Sequence, residues 1–382
     1  MSAGPMTTRA SRKFAEGLLA AALYAAIATA DVRSDDTHRE WPRTDFSKHS
    51  VDLSDIESGG PPKDGIPAID RPRFVSVSRA QTWLKSREPV VALAIGGEAR
   101  AYPIQILMFH EIVNDTVDSV PVAVTFCPLC NASMAFERRV EGYELDFGTT
   151  GRLRYSDLVM YDRQTESWWQ QFSGKGIVGR YAGATLKRIP SSVIAFEDFA
   201  VSRPDGRVLS RQTGFFRPYG RNPYAGYDNV DQSPLFRVKL DSRLRPMERV
   251  LSVSAGGHQR IYPLSLLEKH PVVNAEIAGL AYAVFAQPGM ISPLDSESVS
   301  DGRPIPAAVA FERRIADRVL EFKAENGRIV DRSTGSTWNI LGEATSGPLK
   351  GRRLAAITES GVHFAFAWLA FNPDSEVVRT LP

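Results

Sequence analysis

Cys127 and Cys130 are the two cysteines of this 382-residue chain, and only Pro128 and Leu129 separate them. A pair at that spacing can hold a metal ion as two thiolates, cycle as a redox dithiol, or close an inert local disulfide. The third use gives the least, because the entropy removed from the unfolded chain is smallest for so tiny a loop. A redox pair of the thioredoxin kind sits at a helix N-terminus, whose free N–H groups stabilise the first thiolate. Here the valine-rich run Val120 to Phe126 precedes the pair, and Asn131-Ala132-Ser133 leads into further strand-like sequence. That pattern predicts a strand–turn–strand knuckle in which backbone N–H groups face two metal-bound sulfurs. Covalent haem attachment would require histidine at position 131, which is Asn131.

A knuckle supplies two ligands, so others must come from elsewhere. His110 is the expected third ligand, with Glu111, Asp115, Thr125, Arg154 and Asp157 as supporting groups. Two thiolates and an imidazole suit zinc or copper, and Met108 or Met134 as a further donor would favour copper(I). The oxidoreductase reading uses Cys127 and Cys130 themselves.

The elements that must position these residues occur twice. Residues 96–114, GGEARAYPIQILMFHEIVN, match residues 256–274, GGHQRIYPLSLLEKHPVVN, without a gap. In that register Cys-Pro-Leu-Cys falls on Gln287-Pro288-Gly289-Met290, so the second copy keeps the proline and loses both thiols. His110 falls on His270, which warns that the histidine has a use apart from the thiols. MAFERRVEGYELDF at 134 matches VAFERRIADRVLEF at 309, and MYDRQTESWW at 160 matches IVDRSTGSTW at 329. Asp162, Arg163 and Trp169 thereby read as hairpin-building residues, since Asp331, Arg332 and Trp338 recur in the copy without thiols. Features confined to the first copy are the better site candidates, including Thr149 to Asp157 with Arg152 and Arg154. Segment 210–245 has no partner; its Arg217, Tyr219, Arg221, Asn222 and Tyr224 could close over the site or strap the copies together.

The expected fold is strand-rich α+β, with mostly antiparallel strands, short helices and two tandem copies at 64–209 and 246–382. Pro103 to His110 reads as a short helix and Phe136 to Phe147 as a hairpin turning at Glu141-Gly142. Ser78 is expected to cap a helix through Trp83, and Ser191 or Ser192 another. Residues 31–63 are polar and read as a flexible lead-in. Residues 1–30 read as an export signal: Arg9, Arg12 and Lys13 precede the apolar stretch Gly17 to Ala28, and Ala28-Thr29-Ala30 is a cleavage site. A retained anchor is the alternative. Export implies a periplasmic or otherwise exported protein with no transmembrane domain in the mature chain. Removing the signal takes three of 46 basic and one of 44 acidic residues, so the two then balance. A neutral mature chain gives no electrostatic case for nucleic acid.

DGIPAID at 64, ARAYPIQIL at 99, HEIVND at 110, VAVTFCPLC at 122, SDLVMYDRQTESWWQQ at 156 and YGRNPYAGYD at 219 resemble the domain-of-unknown-function 3179 family. The resemblance covers roughly residues 62 to 250 and implies that Cys127, Cys130 and His110 to Asp115 lie in family motifs. The chain departs from the commoner pattern at Phe109, where tryptophan is expected, and at Asn131, where glycine is frequent. No Ser-His-Asp order, phosphate loop or HExxH motif points to a hydrolase or nucleotide enzyme. The partners expected are a small molecule or a metal donor or acceptor. A metal-handling domain, a thiol–disulfide oxidoreductase and a non-enzymatic binding module remain as the three readings.

Overall fold

A computed structural model describes residues 35–381; the expected export signal lies outside them. The valine-rich run Pro89–Ile95 pairs antiparallel with Glu98–Pro103 through a turn at Gly96. Gly96 has φ of 55°, and a Cβ there would run into the Asp118 carboxylate, so this turn requires glycine. The helix Ile104–Leu107 follows, as the sequence predicts. A meander of Ile112–Val117, Val120–Cys127 and Ala132–Glu137 comes next, in a register that sets Ile112 opposite Thr125 and Cys127 opposite Ala132. Glu141 and Gly142 both have positive φ and close the small hairpin expected there. The longer hairpin Phe147–Arg154 with Asp157–Asp162 then leads to Trp168–Gln170.

The same order of elements returns after residue 248. Arg249–Ala255 pairs with His258–Pro263, the helix Leu264–Leu267 follows, and Val272–Ile277, Leu280–Ile291 and Pro304–Glu312 form a meander. Phe322–Glu325, Arg328–Asp331 and Thr337–Trp338 complete it. Ser191–Ala195 adds antiparallel to Pro89–Ile95 as Ser360–Phe364 adds to Arg249–Ala255. Arg207–Leu209 adds parallel to Glu98–Pro103, with Phe74–Ser76 antiparallel beyond it, and Glu376–Val377 adds parallel to His258–Pro263. The architecture is strand-rich, mostly antiparallel, with a few short helices, in agreement with the sequence reading. Among the described residues no helix is long and apolar enough to cross a membrane.

Three expectations are corrected. The lead-in is not loose: Trp41, Phe46, Leu53 and Ile56 are buried against Val159, Tyr161 and Trp168, and Ile56–Ser58 pairs with Phe147–Arg154. Burying four such side chains at about 2 kcal/mol each outweighs the polarity of the residues between them. The first short helix is Val77–Ala80, capped by Ser76 rather than Ser78. Ser191 and Ser192 lie in a strand opposite Leu93 and Ala92, and the helix begins at Phe196.

The cores cross the boundary between the halves. One apolar cluster joins Val113, Phe126 and Trp169 to Val250, Ile261 and the helix Ala365–Phe371. A second joins Val90 and Phe196 to Phe285, Phe311 and Trp338. Segment 210–245 runs between the halves: Asn222 N–H donates to Glu297 O, Gly226 N–H to Asp295 O, and the Tyr227 hydroxyl to Leu129 O.

Candidate metal centre

Cys127 ends its strand, and the chain reverses through Pro128, Leu129 and Cys130 to resume pairing at Ala132. Asn131 has φ of 49°, the left-handed conformation that asparagine tolerates and that this reversal needs. The turn is the predicted strand–turn–strand knuckle, with no helix beginning at Cys127. A second turn meets it. Tyr155 and Ser156 both have positive φ at the tip of the 147–162 hairpin, which brings Ser156 O and the Asp157 side chain against the thiols. Cys130 Sγ lies 3.4 Å and Cys127 Sγ 3.8 Å from Ser156 O. The two sulfurs and a carboxylate oxygen of Asp157 all lie within 4.8 Å of one another, and all three residues are buried. This group could hold a metal ion.

Asp157 is oriented by its Oδ2, which accepts hydrogen bonds from Gln170 Nε2 at 2.6 Å and from Phe172 N–H at 2.9 Å. Its Oδ1, also buried, has no hydrogen-bond partner among the described residues. Burial pushes the Asp157 carboxyl up to about 7 despite those two donors. Burial, then the neighbouring Asp157, pushes Glu111 up to about 8. Burial raises both thiols too, and the Asp157 charge adds to it. Burial thus favours the protonated forms of these groups, and a divalent ion would compete with those protons.

His110 is not the third donor. Its Nδ1 donates to Pro67 O at 2.7 Å, which leaves Nε2 to accept from the Tyr219 hydroxyl at 2.6 Å. Burial drops the imidazole to about 4, so it stays neutral while pinning the 210–245 segment through Tyr219. Asp157, expected as a supporting residue, is the residue whose carboxylate gathers with the two sulfurs. Glu111 lies close enough for its charge to act on Cys127. Asp115 sits opposite Val122, toward the other end of the ladder, and binds the Tyr102 hydroxyl at 2.7 Å. Thr125 is structural: its Oγ1 donates to Met134 O and accepts from Gln171 Nε2. Arg154 pairs with Asp55 at 3.2 Å and stacks on Tyr155, away from the thiols. Arg221 is exposed. Met134 Sδ accepts from Arg188 and is thereby engaged away from any metal.

Two contacts lay beyond the sequence reading. Tyr227, whose hydroxyl also hydrogen-bonds Ser233 Oγ, seals the knuckle through Leu129 O. Phe364 N–H, from the C-terminal half, donates to Cys130 O at 2.9 Å. The motif YGRNPYAGYD carries Tyr227 as its penultimate residue, so its signal was present without a role; nothing in the sequence around Phe364 marks it.

No curated protein and no solved structure matches the chain. A family model described as a protein of unknown function, DUF3179, matches residues 63–375, well over half of the chain. The knuckle, the hairpin that meets it and the sealing segment all fall inside that match, and the chain belongs to the DUF3179 family.

Proposed function

We propose that this protein binds one zinc ion through Cys127, Cys130 and Asp157 and handles it, or works with it, outside the cytoplasm. The observation that carries the reading is the convergence of two buried sulfurs and a buried carboxylate whose Oδ1 has no hydrogen-bond partner among the described residues. A carboxylate oxygen beside two thiolates favours zinc over copper(I), whose preference is for soft donors alone. Export rests on the basic and apolar pattern of residues 1–30. Protein recovered from the periplasm with an N-terminus at Asp31 would support it.

Elemental analysis of the full-length protein should find one zinc per chain. Asp157→Asn should lose it, because the amide cannot replace an anionic donor, whereas His110→Gln should keep it. Wild-type protein that takes up no zinc would overturn the reading.

The oxidoreductase reading has one observation in its favour: both thiols converge on a single acceptor, Ser156 O. It would replace the zinc reading if freshly isolated, metal-free protein held a Cys127–Cys130 disulfide with a potential in the range of roughly −120 to −270 mV.

A further inference from the structure

The aromatic and basic start of segment 210–245 takes no part in the thiol centre. Phe216 is 98% exposed and Phe215 41%, at the tip of a turn in which Gly214 has φ of 89°. The base of that turn is braced. Phe215 N–H donates to Thr213 Oγ1 at 3.3 Å, the Thr213 hydroxyl donates to the Tyr219 oxygen at 2.5 Å, and Tyr219 donates to His110 Nε2 at 2.6 Å. The His110 and Phe215 rings lie 5.3 Å apart. The buried His110 thus anchors a tip that projects into solvent. One exposed apolar residue is ordinary. Two adjacent rings held out on a braced turn mark a contact with something apolar outside the chain.

Charge singles out the same region. The chain carries 46 basic and 44 acidic residues, yet 71–79 (RPRFVSVSR) and 207–221 (RVLSRQTGFFRPYGR) hold three and four arginines and no acid. The two runs lie side by side: Phe74–Ser76 pairs antiparallel with Arg207–Leu209, and Ser210 N–H donates to Arg73 O at 2.8 Å. Arg71, Arg73, Arg79, Arg207 and Arg221 are exposed and Arg217 is half-buried. None of these six forms an ion pair among the described residues. Asp70, just before the first run, is taken by Arg163. The excess belongs to one half of the molecule. Arg207 stands opposite Arg100, which pairs with Glu98 on its own strand; in the same register of the C-terminal half, Glu376 stands opposite Arg260 and pairs with it at 2.7 Å. Like charges facing each other across strands cost stability, so positive charge gathers here where the other half neutralises it.

We propose that this face is a reversible contact with an anionic phospholipid surface. Phe215 and Phe216 enter the headgroup region, and the unpaired arginines of the two runs meet lipid phosphates, which the planar guanidinium binds in bidentate fashion. Charge complementarity and size both favour a membrane over a protein partner. Two phenylalanines offer at most about 500 Å² between them, less than the ~800 Å² each partner buries in a stable protein interface. A membrane contact needs only a few apolar side chains with a basic rim. The inference is independent of the zinc reading.

The test is co-sedimentation of the full-length protein with phosphatidylcholine vesicles that contain or lack phosphatidylglycerol. Wild type should bind the anionic vesicles more tightly, and added salt should release it. Phe216→Ser should weaken that binding by about tenfold, and Arg217→Glu with Arg221→Glu by more than about thirtyfold. A second measurement reads the tip alone, apart from any insertion of residues 1–30. In Phe216→Trp, vesicles of brominated phosphatidylglycerol should quench fluorescence beyond what they quench in wild type. Equal binding of wild type and variants to both kinds of vesicle, with no added quenching in Phe216→Trp, would overturn the proposal. Salt-sensitive binding to a soluble polyglutamate peptide, with none to the vesicles, would overturn it in favour of an acidic protein partner.

Discussion

The chain reverses at Cys127 in the N-terminal half, but at the matching point of the C-terminal half it runs straight on. There the strand Leu280–Ile291 bulges between Gln287 and Met290 and pairs out to Pro304. Gln287 donates to Asp198 Oδ1 at 2.6 Å, and Met290 joins an apolar cluster. The counterpart of the thiol-bearing turn is part of a longer strand whose side chains pack. Other matched residues do the same work in both places. Trp169 Nε1 donates to Asp162 Oδ2 at 3.0 Å as Trp338 Nε1 does to Asp331 Oδ2 at 3.3 Å. Asn114 bridges to both backbone groups of Phe147, as Asn274 does to those of Phe322. What recurs builds the hairpins; what occurs once gathers around the thiols.

The largest expected effect breaks this symmetry. Cys127→Ser or Cys130→Ser should abolish zinc binding measured by elemental analysis, while Gln287→Ala with Met290→Leu leaves it unchanged. Equal losses from both sets would mean that the two halves form one composite centre.

A second contrast concerns the histidines. Burial lowers His110 to about 4 and His363 to about 3, so each stays neutral in the native state while the unfolded chain binds a proton below about 6.5. Stability from each is therefore full above 6.5 and falls as pH drops toward 4, by on the order of 3 kcal/mol per residue. Unfolding of wild type and of His110→Gln or His363→Phe at pH 7 and pH 4.5 should show the variants losing less stability on acidification. Parallel acid sensitivity in wild type and both variants would defeat the argument.

The smallest effect sharpens the shared part. Asn114→Ala leaves Phe147 N–H and C=O without their partner and should cost about 2 kcal/mol in denaturant unfolding. Asn274→Ala, at a less buried copy of the same bridge, should cost about 1 kcal/mol. A neutral result at both would show that the bridges are dispensable.

The turn at Asn131 and the Glu141-Gly142 hairpin were legible because each is a local pattern: a tolerated left-handed residue and a two-residue reversal. The donor set was only half legible. His110 is near the cysteines through adjacent elements, yet the orientation of its ring depends on Pro67 and Tyr219, which are distant in sequence. Asp157 reaches the thiols because a two-residue left-handed turn bends its hairpin toward them, and no periodicity reports that. The lead-in was misread because four well-spaced apolar residues do not raise the mean hydropathy of a polar stretch. Ser191 and Ser192 resemble helix caps, but the open edge of Pro89–Ile95 recruits them as a strand.

The hydrogen bond from Phe364 N–H to Cys130 O has a consequence for biogenesis. The last donor that fixes the knuckle lies 234 positions downstream, a separation read from the residue numbers. During synthesis the thiols therefore exist long before the enclosure that shields them is complete. A chain interrupted before residue 364 keeps both cysteines yet lacks their final seal, which leaves such fragments open to mispairing and to thiol-reactive quality control. In the folded molecule both thiols are withdrawn from solvent.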